Sequence, residues 1–288
     1  MWSEYFPVSD AQVQQRRISL FKNWFDGLTG RVACTRIAFE RTGEHVPGCP
    51  RGIYTINPDG SETRHIRPSG QSPRWSPDGR WIAFDAIIGN NPDIYLVRPE
   101  GGPPVRMTSE PSSEAQPNWS HDGRWLYFMS DRSGSKQVWK IPAGGGQATQ
   151  VTRHGGFQAF ESGDGRYVYY AKEWHGHGVW RVPVNGGPET LVSNQAWHNL
   201  WTLAGDGLYY FDVEGQMPQV FSITCSIPVR RIDLATNKIT TVATVEVSFP
   251  GGVPALDVTR NGKYLAWVNW REHDAELMLI RNLHLGPR

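Results

Sequence analysis

Four histidines in one stretch of the chain, His154, His175, His177 and His198, are the residues whose type could do chemistry. Three imidazoles brought together can hold Zn²⁺ or another transition ion. Their spacing, however, matches no metal-ligand motif, and His175-Gly-His177 reads as a polar loop. Solvent-exposed loop histidines are the plainer reading, so no metal and no other cofactor is expected. Trp174 and Trp197 flank these histidines and offer a stacking surface for a sugar or another flat ligand, unless they simply pack in the core. Asp131 and Arg132 form either an ion pair or a ligand contact, and an exposed pair of that kind contributes little energy. The candidate ligand-binding set is therefore Trp174, His175, His177, Trp197, His198, His154, Asp131 and Arg132.

Catalytic signatures are absent. No G-x-S-x-G elbow occurs, and Gly144-Gly145-Gly146 lacks the Lys-Ser/Thr that would make it a phosphate loop. Glu272, Asp274 and Glu276 cluster in sequence, with nothing that makes two of them an acid/base pair. The 29 basic and 28 acidic residues leave a net charge of +1, without the basic footprint of a nucleic-acid binder. No run approaches the roughly 20 apolar residues of a membrane helix. Glu4 and Asp10 come before Arg16 and Arg17, the reverse of a secretory signal. A cytoplasmic protein is expected, or a periplasmic one if the chain is a piece of something longer. Cys34, Cys49 and Cys225 form no C-x-x-C pair, and free thiols are the expected state.

The elements that must position these residues come from an internal repeat. Residues 73–107 begin PRWSPDGRWIAF and residues 117–151 begin PNWSHDGRWLYF, and both continue through a polar loop, a second apolar strand and a glycine turn. A third copy runs from Phe157. The turn marker recurs at Asp78-Gly79, Asp122-Gly123, Asp164-Gly165, Asp206-Gly207 and Asn261-Gly262, at spacings of 44, 42, 42 and 55. The last gap is long because Glu214–Pro228 reads as an insertion. An earlier degenerate copy closes on Asp59-Gly60, which makes six. Asp-Gly supplies the positive φ that a two-residue hairpin demands. Middle strands such as Trp81–Phe84 and Trp125–Phe128 are apolar on both faces, so each sheet must be pressed between two others. The reading is all-β: a six-bladed β-propeller of four-stranded antiparallel blades.

The pattern from Pro73 through Arg80, then Ile82–Phe84, Asp93–Tyr95 and Gly101-Gly102, resembles the WD-repeat-like propeller repeats of the TolB family. The resemblance covers roughly residues 30–283. The ending from Glu276 to Leu283 is similar to C-terminal propellers attached to bacterial winged-helix regulators or protein kinases. It implies the fold and leaves the role open, since this architecture serves many functions.

The sixth copy lacks a fourth strand, and an open sheet edge is an aggregation hazard. Residues 1–25 are expected to supply it, through Gln14–Phe21, with the propeller proper over residues 26–288. In such a ring, loops between second and third strands share a face with the connections between blades. That face gathers Asn90, Asn91, Asp131, Arg132, Trp174, His175 and His177 with Glu110, Glu114, His154, Trp197 and His198. The expected function is a non-catalytic, monomeric module that binds a protein or peptide, or senses a small ligand or carbohydrate, in the manner of a regulator's sensor half. A metal-assisted polysaccharide lyase or hydrolase and a TolB-like envelope component are the alternatives.

Overall fold

The computed structural model describes residues 5–7, 15–22, 34–41, 51–174, 176–213, 224–248, 256–259, 262, 264–270 and 275–281. They form six four-stranded antiparallel sheets. Blade one is Gln15–Lys22, Cys34–Arg41, Gly52–Ile56 and Arg64–Arg67. Blade two is Gln71–Trp75, Ile82–Ile87, Pro92–Arg98 and Gly101–Arg106. Blade three is Glu114–Trp119, Trp125–Ser130, Gln137–Pro142 and Thr149–Gln150. Blade four is Phe157–Glu161, Tyr167–Ala171, His177–Pro183 and Thr190–Trp197. Blade five is Trp201–Ala204, Gly207–Phe211, Thr224–Asp233 and Ile239–Ser248. Blade six is Leu256–Val258, Tyr264–Trp270 and Ala275–Arg281, completed by Tyr5–Pro7. The first strand of each blade touches the first strands of both neighbours, so these six strands form the inner ring.

The core lies between blades rather than within them. Successive side chains of a strand point to opposite faces, and here each face meets a different blade. Ile82 and Phe84 pack with Ala38 and Ile53 of blade one, whereas Ala83 packs with Trp119, Leu126 and Phe128 of blade three. Tyr127 faces Val168 and Tyr170 of blade four, and Tyr169 faces Leu208 and Tyr210 of blade five. Blades five and six share Val229, Val245, Leu265 and Trp267. The insertion before blade five's third strand ends in a long hairpin. There Thr224–Pro228 pairs with Thr244–Ser248 beyond the four-stranded part of the blade.

The Asp-Gly turns differ from the two-residue hairpin expected for them. Ser76 N–H donates to Trp81 O, enclosing four residues, and only Gly79 has positive φ, at 71°. Asp78 Oδ1 accepts from Ser76 Oγ at 2.6 Å and from Arg80 N–H at 3.0 Å, while Ser76 Oγ accepts from Trp81 N–H at 2.9 Å. Ser120 with Asp122 and Ser162 with Asp164 repeat the same bonds. Hydrogen bonds from Ser162 Oγ and Arg166 N–H hold the Asp164 carboxyl at about 2. Among the described turns between first and second strands, blade five's has the tight form. Ala204 pairs with Gly207, and Gly205 supplies the positive φ.

The segment that completes blade six is also corrected. Tyr5–Pro7 pairs antiparallel with Met278–Ile280, while Gln15–Lys22 pairs with Cys34–Arg41 as the innermost strand of blade one. The degenerate first copy needs its own inner strand, and Gln15–Lys22 immediately precedes its second. Residues further toward the N-terminus, Tyr5–Pro7, reach blade six. Deleting residues 1–12 should therefore lower the melting temperature by several degrees with a cooperative transition retained, because one short edge strand is lost. Deleting residues 1–25 removes an inner strand and should abolish the cooperative transition. Thermal melts of the two truncations that coincide would contradict this assignment.

Candidate functional site

The two faces of the ring differ in how their polar groups are used. The lower face carries the Ser–Asp turns, whose serine and aspartate satisfy each other, with one bond across blades from His121 N–H to Glu161 Oε1 at 2.9 Å. On the upper face, loops bind to connections. Asn91 Nδ2 donates to Glu110 O and Ser112 O, and Asp131 Oδ1 accepts from Ser113 N–H at 2.9 Å. Gly155 (φ 95°) lets the connection between blades three and four run against blade four's loop. A Cβ there would sit 2.4 Å from Lys172 O.

At the upper end the inner strands of blades two, three and four are each broken by a bulge. The register slips between Gln71 and Arg74, between Ala115 and Asn118, and between Phe157 and Phe160. Ser72, Gln116 and Gln158 take positive φ of 52°, 57° and 49° in these bulges, and Asn199, just before blade five's inner strand, takes 66°. Left-handed non-glycine residues cost of order 1–3 kcal/mol each and persist only where surroundings enforce them. The enforcement comes from the preceding blade. Glu40 Oε2 accepts from Ser72 N–H at 3.4 Å, and Asp85 Oδ1 from Gln116 N–H at 3.0 Å. Gln116 Oε1 accepts from Gln158 N–H at 2.9 Å, and Gln158 Oε1 from Asn199 N–H at 2.7 Å. Below this polar ring, Arg74 reaches across the channel. Its guanidinium lies 5.4 Å from the Phe160 ring centroid of blade four and 3.6 Å from Asp257 of blade six. Thr202 Oγ1 of blade five donates to the same carboxylate at 3.0 Å.

The candidate residues separate into three places. Trp174 and His198 come together above blade four, with ring centroids 4.7 Å apart and Phe157 edge-on to both. Trp174 is 44% exposed and His198 is buried beneath it. Gln116 Nε2 lies 3.4 Å from His198 Nε2. Because Gln116 Oε1 already accepts from Gln158, its amide nitrogen is the donor, and His198 Nε2 accepts. Lys136 Nζ stands 5.7 Å from the centroids of both Phe157 and Trp174. His177 and Trp197 are cross-strand partners in the outer hairpin of blade four, with rings 5.6 Å apart.

His154 stands apart from both groups. It faces a groove of about 530 Å³ between blades three and four, lined by Arg153, Lys172, Asn185 and Glu189 among others. His175 lies outside the described residues. Among the described residues no three His, Cys, Asp or Glu side chains converge as metal ligands.

Asp131 and Arg132 do not pair with each other. Arg132 reaches the fully buried Glu114 at 3.2 Å and lies over the Trp139 ring. Glu114 Oε1 also accepts from Ser112 Oγ and Ser130 Oγ, yet burial pushes its carboxyl above the usual range. The polar ring and Lys136 were not read from the sequence as site residues. A signal for the ring exists: a polar residue stands four places before the turn serine in Ser72, Gln116 and Gln158, within otherwise apolar repeats.

This arrangement defines a six-bladed β-propeller whose channel is polar at one mouth and crossed by an arginine deeper in. The sequence pattern of the TolB beta propeller domain matches residues 53–241, and the chain belongs to that family. The fold is similar to a putative TolB from Agrobacterium tumefaciens, with 17% identity, a TM-score of 0.65 and 96% of each chain covered. It is also similar to TolB from Acinetobacter baumannii, at 20% identity and a TM-score of 0.62, covering 88% of this chain and 66% of that one. A 30-residue segment is 57% identical to the Tol-Pal system protein TolB of Syntrophus aciditrophicus (strain SB), spanning 10% of this chain and 7% of that protein. No helix of the described residues is long and apolar enough to cross a membrane.

Glu189 ties the two blades at the groove. Burial alone would raise its carboxyl, but bonds from Lys172 Nζ, Arg153 N–H and His154 Nδ1 outweigh it and hold the group at about 2, against an ordinary 4.5. A depressed carboxylate stabilises the fold above its unfolded value and ceases to do so as pH falls through its folded one. The melting temperature should fall as pH drops from about 4.5 to about 2. Glu189→Gln should lower it by about 2–4 °C at neutral pH and flatten that decline, since 1 kcal/mol is worth roughly this much in a large domain. A parallel pH profile in the variant would contradict the role given to Glu189.

Proposed function

We propose that this chain is a non-catalytic binding module whose upper face docks a protein or peptide partner. The observation that carries the reading is the distribution of exposed apolar side chains. Ile87 at the end of blade two's second strand, with Ile88 and Trp174 in the loops, stands exposed on the upper face, while Val105, Leu191 and Ile239 lie on outer strands. Exposed apolar groups gathered on one face, rimmed by polar ones, mark interaction sites, and aromatic anchors dominate binding energy. Membership of the TolB propeller family supports a protein-interaction role. A second reading, a TolB-like envelope component, is favoured by the short match to a Tol-Pal system protein. In either setting the same face does the binding.

The test compares faces. Immobilised full chain should capture a reproducible partner set from an extract of the source organism. Trp174→Ala combined with Ile87→Asp should reduce that capture at least tenfold, whereas Arg124→Ala with Arg166→Ala on the lower face should leave it unchanged. Equal loss from both pairs, or none from the first, contradicts the proposal.

A further inference from the structure

Resting on the reading that the upper face binds a partner, we infer the chemistry that this face recognises: a carboxylate side chain within an apolar peptide segment, set against Lys136 and Trp174. The cations of blades three and four are used unequally. Arg132 has both a carboxylate, Glu114, and the Trp139 ring. Lys172 has Glu189 at 2.8 Å and the Trp180 ring at 3.6 Å. Lys136 has only the rings of Phe157 and Trp174, each at 5.7 Å. Among the described residues no carboxylate pairs with it. Two carboxylates of the neighbouring segments are bonded to backbone, Asp131 to Ser113 N–H and Asp85 to Gln116 N–H.

Lys136 is thus a cation beside an exposed indole with its strongest class of partner missing. A cationic ligand would meet that charge and be repelled. A neutral one would leave it unpaired. An incoming carboxylate gains a charge-assisted hydrogen bond at a place where the indole already excludes some water. The indole is held rather than loose: His198 backs it at 4.7 Å, and His198 N–H donates to Gly176 O in the same loop.

The rest of the face favours a peptide over an acidic sugar. Ile87, 67% exposed at the end of blade two's second strand, and Ile88, 44% exposed in the loop after it, stand on this face. Aliphatic side chains of that kind match apolar residues flanking an acidic one, whereas a sugar acid would use Trp174 and Lys136 and leave both isoleucines in water. Lys136 completes the selection by charge, since the apolar contacts alone would accept any hydrophobic segment.

The probe is N-acetyl-Leu-Glu-Leu amide, titrated into full-length protein with fluorine-labelled tryptophan, the Trp174 resonance being assigned by Trp174→Phe. The Glu peptide should shift that resonance and bind at least tenfold more tightly than its Gln counterpart. Lys136→Met should erase the difference and Lys136→Arg should keep it. Equal binding of the two peptides, no binding of either, an unchanged preference in Lys136→Met, or a response to glucuronate but not to the Glu peptide would each overturn the inference. No acidic preference in the unsubstituted protein, with partner capture still lost in the Trp174→Ala, Ile87→Asp variant, would sink only the carboxylate chemistry, whereas capture unchanged in that variant would sink the face itself.

Discussion

A hydrogen bond from each bulged strand to the blade before it is the contact on which this structure turns. The inner strands run down a narrow channel, where a regular ladder would leave their upper ends facing only one another. The bulge turns the N–H of Gln116 or Gln158, and a left-handed residue before the strand turns that of Asn199, toward a side-chain oxygen of the neighbouring blade. A buried N–H without a partner costs about 1–3 kcal/mol, and the left-handed backbone adds its own strain. Neither is tolerable in an isolated blade. From blade one to blade five the preceding blade supplies the missing acceptor, so this stretch of the channel mouth takes its conformation only with its neighbours in place.

That coupling explains why the two faces differ. The lower turns contain most of their own acceptors, with Asp78, Asp122 and Asp164 each two residues from the serine that they bind. They are finished structures and offer little to a ligand. The upper face takes its acceptors from across blade boundaries, which fixes Gln116 and Gln158 and, through Gln116, the ring of His198. Trp174 rests on His198. The exposed indole is therefore placed by a relay of hydrogen bonds that begins two blades away at Asp85. A partner meets a preorganised surface, which reduces the entropic cost of binding.

The repeat made the blades readable, because the requirement for apolar residues on both faces of strands such as Ile82–Ile87 leaves a strong pattern. Trp125–Phe128, read as a middle strand, falls within Trp125–Ser130 in the fold. The face shared by loops and connections also followed from topology alone. What was not readable depended on contacts between copies. Nothing local marks Tyr5–Pro7 as the partner of Ala275–Arg281, because a three-residue strand has no periodicity to detect. The histidines looked like one cluster because they are close in sequence. Blade geometry sends His154 outward to Glu189 and buries His198 under Trp174. Asp131 and Arg132 are adjacent yet answer to different partners, for neighbours in a loop end seldom face each other. Lys136 carried no motif at all. Its place over two aromatic rings is set by blade four, not by its own blade.

Native-state hydrogen exchange of the backbone amides of Gln116, Gln158 and Asn199 tests this account most directly. All three should exchange as slowly as the central strand amides of their blades, since each donates to a side chain that only an intact ring can supply. Exchange of these amides at the rate of exposed loop residues, with the central strands still protected, would mean that the blades are held by apolar packing alone and that the channel mouth is not built by its neighbours.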